Sequence, residues 1–87
     1  MTFQDDYFSK EHHYSLGNVI ETKVPYLSIP VTIGVVDYEE YYALSKSEYE
    51  RFMADQSEAL MFAERCRKRL EDDRLIQKPG WNRGIPH

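Results

Sequence analysis

The chain of 87 residues has one cysteine and no long apolar run, and each of these shortages excludes a class of protein. A single cysteine, Cys66, can form no intramolecular disulfide and rules out a zinc site built from four cysteines. No apolar stretch approaches the roughly 18 residues that a membrane span needs, and the first residues resemble no signal peptide. We therefore expect a cytoplasmic protein with no membrane segment.

What the chain does have is the composition of one ordinary folded domain. Hydrophobic residues make up 41% and charged residues 30%, and a chain of this size buries about 60 to 65% of its surface. We expect it to fold alone or as a homodimer, without an internal repeat or a second domain. The single domain divides into an N-terminal segment (1–10), a β-meander (12–44), a helical region (46–74) and an irregular tail (77–87).

Charge is distributed unevenly along the chain. The net charge of −4 and the pI near 5.3 disfavour general nucleic-acid binding, which usually requires a basic face. Up to Glu50 there are nine acids and three lysines, a balance of −6, whereas the remainder has eight basic and six acidic residues, a balance of +2. The first half is therefore the acidic half, which suits a basic partner.

Residues 27–42, LSIPVTIGVVDYEEYY, hold the only sustained run of β-branched residues. Alternate positions in this run place four apolar side chains on one face of a long strand, namely Ile29, Val31, Ile33 and Val35. Pro30 lacks the N–H that a central strand donates, which predicts that the strand begins at a sheet edge. The chain is expected to reverse around 38–40 and to return as a fourth short strand over 41–44.

The residues before this run are expected to form a hairpin. Gly17-Asn18 suits a tight turn between short strands at 12–16 and 19–24, because glycine accepts the backbone angles of such turns. Pro25 marks the turn into the long strand. Residues 1–10 show no clean period and predict a short helical turn or a tail laid over the core.

Helical periodicity begins after Leu44. Ser45 and Glu48 have the spacing of a capping box, and Leu44 and Tyr49 have that of a hydrophobic staple. The candidate Asp55–Ser57 cap and a rotation of the apolar stripe favour two helices over one. Two successive stripes of this region should face inward: Tyr49, Phe52 and Met53, then Ala59, Phe62, Ala63, Cys66 and Leu70.

Together these patterns predict an α+β fold. A small antiparallel meander of three or four strands should be covered on one face by a C-terminal helix or helix pair. Two Pro and two Gly within residues 77–87 end any helix. Trp81, in that tail, either folds back to close the core or anchors a partner, and both interpretations stay open.

The strongest candidate for a functional site is an acidic, tyrosine-rich segment. Tyrosine offers rigid contact area and carboxylates attract a basic partner, so these residues predict a partner-binding surface, extended by Glu21 and Glu48. The competing interpretation is that alternate tyrosines pack inward, although strand geometry leaves Tyr41 or Tyr42 outside. The predicted partner-binding residues are Asp37, Tyr38, Glu39, Glu40, Tyr41 and Tyr42.

A basic run near the end of the helical region is the candidate for a nucleic-acid contact. Its residues are Arg65, Arg67, Lys68 and Arg69. Opposite charges four residues away favour a self-neutralised, solvated face instead. The expected pairs are Glu64 with Lys68, Arg67 with Glu71, and Arg69 with Asp73.

No residue pattern predicts catalysis, a cofactor or a metal site. His12 and His13 are adjacent, so on a strand they would point to opposite faces and could not share a metal. Cys66 lies on the inner stripe and is expected to be a small buried hydrophobe. The chain has no glycine-rich phosphate loop, no serine elbow and no paired acid and base, so we do not expect an enzyme.

These observations favour a small protein-binding inhibitor, with the chemistry of an immunity protein or antitoxin that blocks a basic partner. The first alternative is a nucleic-acid-associated regulator that uses the basic run. The second is a small enzyme or metal protein, which no motif supports.

Overall fold

The computed structural model describes residues 1–79 and 83–87, and its fold is the predicted α+β class. An antiparallel sheet with the order β1-β2-β3-β4 is followed by two helices. The elements are β1 (Phe3–Ser9), β2 (Tyr14–Val19), β3 (Pro25–Ile33), β4 (Val36–Ala43), α1 (Lys46–Ala54), α2 (Gln56–Arg67), a 3₁₀ turn (Asp72–Arg74) and β5 (Ile85–Pro86). The prediction for Trp81 lies outside the described residues.

The N-terminal segment is a strand, so the predicted helical turn or tail is wrong. β1 pairs with β2, and its register shifts between Asp5 and Tyr7, where the strand bulges. A bulge places one extra residue in a strand and so breaks the period of two. This is the physical reason why the sequence of residues 1–10 shows no clean alternation.

The predicted hairpin at Gly17-Asn18 is also wrong, because both residues lie inside β2. A Cβ atom at Gly17 would lie 2.5 Å from the Tyr26 hydroxyl, so only glycine allows the tyrosine to pack there. The turns on either side of β2 instead use non-glycine residues with positive φ, His13 at 55° and Lys23 at 59°.

The long β-branched run folds as a hairpin rather than as one strand. Ile33 pairs with Val36, and the turn between them contains Gly34 with φ 59° and Val35, which is fully exposed. Val35 therefore does not belong to the inward stripe, and the predicted reversal around residues 38–40 is wrong. The whole acidic, tyrosine-rich segment lies within β4.

β3 is central rather than an edge strand, which corrects the prediction from Pro30. It pairs with β4 along its length, with β2 through residues 25–28, and with β5 at Val31 and Thr32. Pro30 lies between the β2 and β5 pairings, and its carbonyl accepts a hydrogen bond from the His87 amide at 3.1 Å. The Pro30 nitrogen therefore points toward this gap and away from β4, so the absence of its N–H removes no hydrogen bond to β4.

The helix pair and the predicted capping box at its start are confirmed. Ser45 Oγ accepts from the Glu48 amide at 3.1 Å, and the Glu48 carboxylate accepts from the Ser45 amide at 2.8 Å. Asp55 separates α1 from α2 and caps the second helix through the Ser57 amide. Neither helix in the described part of the chain has the length and apolar character that crossing a bilayer requires.

The second helix ends earlier than the sequence predicts. The amides of Arg69 and Leu70 donate to the carbonyls of Cys66 and Arg65, which is the pattern of a Schellman C-cap. Arg69 has φ 63° at the position that usually holds glycine. Leu70 therefore lies beyond the helix and is 53% exposed, and Met53 is also exposed, so both were wrongly assigned to the inner stripe.

The core fills the space between the helices and one face of the sheet. Cys66 is fully buried there, as predicted. The opposite face of the sheet has no helix over it in the described residues. The buried core consists of Tyr14, Leu16, Leu27, Ile29, Tyr42, Leu44, Phe52, Ala59, Phe62, Ala63, Cys66 and Leu75.

The inward face of β3 can be tested with two truncations in the same hairpin. Ile29 is fully buried, so Ile29→Ala should lower the free energy of unfolding by about 2 to 5 kcal/mol, as large-to-small core changes do. The matched control is Val35→Ala at the exposed turn, which should change it by less than about 0.5 kcal/mol. Equal losses in urea melts would contradict the assignment of faces.

Candidate partner-binding face of the sheet

The alternation of β4 divides the predicted partner-binding segment between the two faces of the sheet. Tyr42 is fully buried and Glu40 is 5% exposed on the helix side. On that side Tyr38 is half-buried, and its hydroxyl accepts from the Gly84 amide. Three of the six predicted residues therefore face inward, and the other three, Asp37, Glu39 and Tyr41, face outward.

The inward half holds the structure together through the Glu40 carboxylate. Arg69 and Arg83 each donate to it at 2.7 Å, and the Tyr42 hydroxyl donates at 3.0 Å. Burial would raise the pKa of Glu40, but the hydrogen bonds from Arg83 and Tyr42 and the charge of Arg69 together hold this pKa below its usual range. Arg83 also binds Asp72 at 2.7 Å, so the network joins β4 to both segments after α2.

We call the surface opposite the helices the outer face, and at its centre lie three aromatic rings. Phe3 and Tyr41 stack with their centroids 3.6 Å apart, and Tyr26 meets Tyr41 edge-on at 4.9 Å. These contacts bury Tyr26 completely without any helix. Its hydroxyl donates to Asp5 at 2.5 Å. The outer face is therefore a packed surface and not a loose one.

Three carboxylates lie on the same face as this cluster, and each accepts a hydrogen bond from a hydroxyl of β3. Tyr26 donates to Asp5, Thr32 donates to Asp37 at 2.7 Å, and Ser28 donates to Glu39 at 3.0 Å. Each bond uses one carboxylate oxygen. Burial raises the pKa of Glu39, the charge of Asp5 raises it further, and the Ser28 hydroxyl only partly opposes the change.

Positive charge is absent from the four main strands. None of β1 to β4 contains a lysine or an arginine. All six arginines of the chain form ion pairs, and within the described residues none of these pairs involves Asp5, Asp37 or Glu39. The outer face thus presents fixed negative charge with no cation of its own strands beside it.

The basic run is largely neutralised, as the sequence predicts, but with other partners. Arg65 pairs with Glu71, Arg69 pairs with Glu40, and Lys68 is exposed. Arg67 pairs with Glu64 at 2.5 Å and also donates to backbone carbonyls of the β1–β2 turn. The expected ion pairs between residues four positions apart do not form, because α2 ends at Arg67.

The proposed extension of the acidic surface by Glu21 and Glu48 does not join the outer face. Glu21 accepts from the amide and hydroxyl of Thr2, and Glu48 binds Arg74 while it caps α1. Backbone and side-chain hydrogen bonds from Thr2 lower the pKa of Glu21 to about 2. Side-chain hydrogen bonds from Arg74, helped by the backbone amide of Ser45, lower the pKa of Glu48 to about 2. Both carboxylates therefore have internal partners.

Sequence reasoning missed Phe3, Asp5 and Tyr26. Phe3 and Asp5 are two positions apart, as residues on one face of a strand are. The bulge after Asp5 interrupts the alternation that would have identified this strand from the sequence. His12 and His13 lie in the turn before β2 rather than on a strand. Within residues 1–79 and 83–87 no three histidine, cysteine, aspartate or glutamate side chains are grouped so that they could hold a metal ion.

Adjacent glutamates on β4 should respond oppositely to the same substitution. Glu40→Gln should lower the free energy of unfolding at pH 7 by about 3 kcal/mol, because it removes the buried carboxylate that two partly buried arginines share. Glu39→Gln should raise it, because a carboxyl with a raised pKa loses stability as pH rises through that pKa.

Urea melts at several pH values provide the measurement. Glu40 has a lowered pKa, so its contribution is present above the usual glutamate value and is lost as pH falls. Both differences from wild type should therefore shrink in acid. A Glu39→Gln protein that is less stable than wild type at pH 7 would show that this carboxylate has a stabilising partner in the folded chain beyond the Ser28 hydroxyl.

Comparison of the chain with protein-family models, with curated proteins and with solved structures finds no match. The defining property of the outer face is that it combines stacked aromatic rings with carboxylates and that the strands β1 to β4, which form it, contain no lysine or arginine.

Proposed function

We propose that the protein binds a basic partner protein through the outer face, in the manner of a small inhibitor such as an immunity protein or antitoxin. One observation carries this proposal. Every arginine of the chain is engaged in an ion pair, whereas the carboxylates of Asp5, Asp37 and Glu39 have only hydroxyl partners in the described residues. A cationic surface supplies what these carboxylates lack.

The two kinds of side chain on this face suit two stages of binding. Carboxylates act before contact, because their attraction reaches about 8 Å at physiological salt and accelerates association. The exposed edges of Phe3 and Tyr41 act after contact, since aromatic residues at the centre of an interface dominate its energy. A rigid strand surface also loses little conformational entropy on binding.

The preorganised carboxylates favour a protein partner over a free ion. Ser28 and Thr32 fix one oxygen of Glu39 and of Asp37, so the free oxygens are presented at set positions along β4. Fixed, spaced charges select a partner with a matching array of charges. A cationic partner would also stabilise the ionised form of Glu39, whose pKa is raised in the free protein.

Nucleic-acid binding by the basic run has less support. Arg65, Arg67 and Arg69 would have to leave carboxylates within the chain in order to bind phosphates. Lys68 alone offers a small electrostatic gain. Nucleic-acid binding would therefore require the chain to give up three of its own ion pairs.

The test compares variants of equal charge in capture from the source cell, followed by rate measurements on the captured protein. Asp37→Asn with Glu39→Gln should lower the association rate constant roughly tenfold and flatten its salt dependence, because long-range attraction is lost. Glu50→Gln with Asp73→Asn removes the same charge from exposed helical and turn positions and should leave the rate nearly unchanged.

Two results would overturn the proposal. The first is equal binding by the outer-face variant and its control. The second is capture of nucleic acid that is lost in Arg65→Gln with Lys68→Gln and retained in the outer-face variant. Thermal melts of each variant separate lost binding from lost folding, and the outer-face variant should melt no lower than wild type.

A further inference from the structure

The outer face has a groove at the end where β3 and β4 turn. Its volume is about 530 Å³, within the range of sites that bind small ligands or single side chains. The groove lies beside the Pro30–Glu39 and Thr32–Asp37 cross-strand pairs. Its lining residues are Phe8, His13, Pro30, Asp37, Glu39 and His87.

Two walls of this groove are apolar and exposed to an incoming group. Phe8 is 57% exposed, although the exposure of a phenyl ring to water is unfavourable. Pro30, on β3, is partly buried. Phe8 packs into no described aromatic pair, unlike Phe3 and Tyr41. A flat group that stacks on this ring would cover it.

The other walls carry the two outward carboxylates of β4. Asp37 and Glu39 are two positions apart, which in a strand is about 7 Å between Cα atoms. Asp37 Oδ1 and Glu39 Oε1 accept the hydroxyls of Thr32 and Ser28, so the second oxygen of each carboxylate is available to a donor from outside. His87 also lines the groove and contacts the Thr32 hydroxyl.

A group that fits must be flat, cationic and able to donate to two carboxylates at once. The guanidinium of arginine has this shape and five N–H donors in a fixed fork, whereas the lysine ammonium is a compact point charge. The same chain contains the arrangement internally, since Arg83 lies between Glu40 and Asp72 and binds both at 2.7 Å. Arg74 similarly joins Glu48 and Glu71.

We infer that this groove binds an arginine side chain of the basic partner, with the guanidinium between Asp37 and Glu39 and its face against Phe8. The inference rests on the proposed function and makes it more specific. The outer face selects a basic surface, and the groove selects arginine over lysine at one position of that surface.

The probes are three short glycine-serine peptides whose central residue is arginine, lysine or citrulline, the neutral analogue of arginine. Amide shifts of the ¹⁵N-labelled protein should move for Phe8, Asp37 and Glu39 on addition of the arginine peptide. The arginine peptide should bind about fivefold or more tightly than the lysine peptide, because it adds bidentate hydrogen bonds and stacking. Citrulline, which lacks the charge, should bind more weakly than both.

Two variants divide the contributions of the groove. Phe8→Ala should remove most of the preference for arginine and leave lysine binding nearly unchanged, and because Phe8 is exposed the fold should tolerate it. Asp37→Asn with Glu39→Gln should weaken both cationic peptides. Glu50→Gln with Asp73→Asn is the control of equal charge and should alter neither affinity.

The outcomes separate this inference from the proposed function. Equal affinity for arginine and lysine, or an arginine preference that persists in Phe8→Ala, overturns the arginine groove and leaves binding of a basic partner intact. Absence of shifts at the groove, with capture of the partner still lost in the outer-face variant, does the same. Shifts confined to the helical side, together with capture that is independent of Asp37 and Glu39, overturn both.

Discussion

The buried carboxylate of Glu40 is the contact on which the rest of the fold depends. It receives Arg69 from the end of α2 and Arg83 from the C-terminal segment, and both arginines reach it across long stretches of chain. Arg69 has the left-handed backbone that glycine usually adopts, and its guanidinium also binds the Gly84 carbonyl. We attribute the retention of arginine at this strained position to these two bonds. A buried ion pair adds little net stability but allows few alternative arrangements, because any other leaves a charge without its partner.

The same network determines what the outer face presents. Since side chains alternate along β4, holding Glu40 and Tyr42 inward forces Glu39 and Tyr41 outward. A slip of one residue would bury Glu39 without an arginine and expose Tyr42, so the inner ion pairs fix the register of the outer surface. Residues that hold the fold together thus alternate in one strand with residues that we propose bind the partner, and neither set could be changed freely without the other.

The sequence allowed prediction of those features that depend on neighbouring residues. The capping box of Ser45, the break at Asp55 and the α+β class follow from local spacing. The Gly34 turn was missed because β-branched residues flank it on both sides, and β1 was missed because its bulge breaks the alternation. The turn at Gly34 sets where β4 begins, and it therefore determines which tyrosine of β4 faces outward. The arginine partners of Glu40 lie 29 and 43 residues away along the chain, beyond any local pattern.

The distribution of charge is difficult to explain by stability alone. A chain with six arginines and five lysines has enough positive charge to neutralise its outer face, yet none of these residues lies in β1 to β4. The carboxylates there repel one another, and Glu39 pays for partial burial with a raised pKa. One lysine in place of an outward residue such as Thr32 would relieve that repulsion. Natural sequences retain such unfavourable local arrangements mainly at functional sites, where a partner supplies the missing interaction. The unneutralised outer face is therefore better explained by the proposed binding of a basic partner than by a contribution to folding.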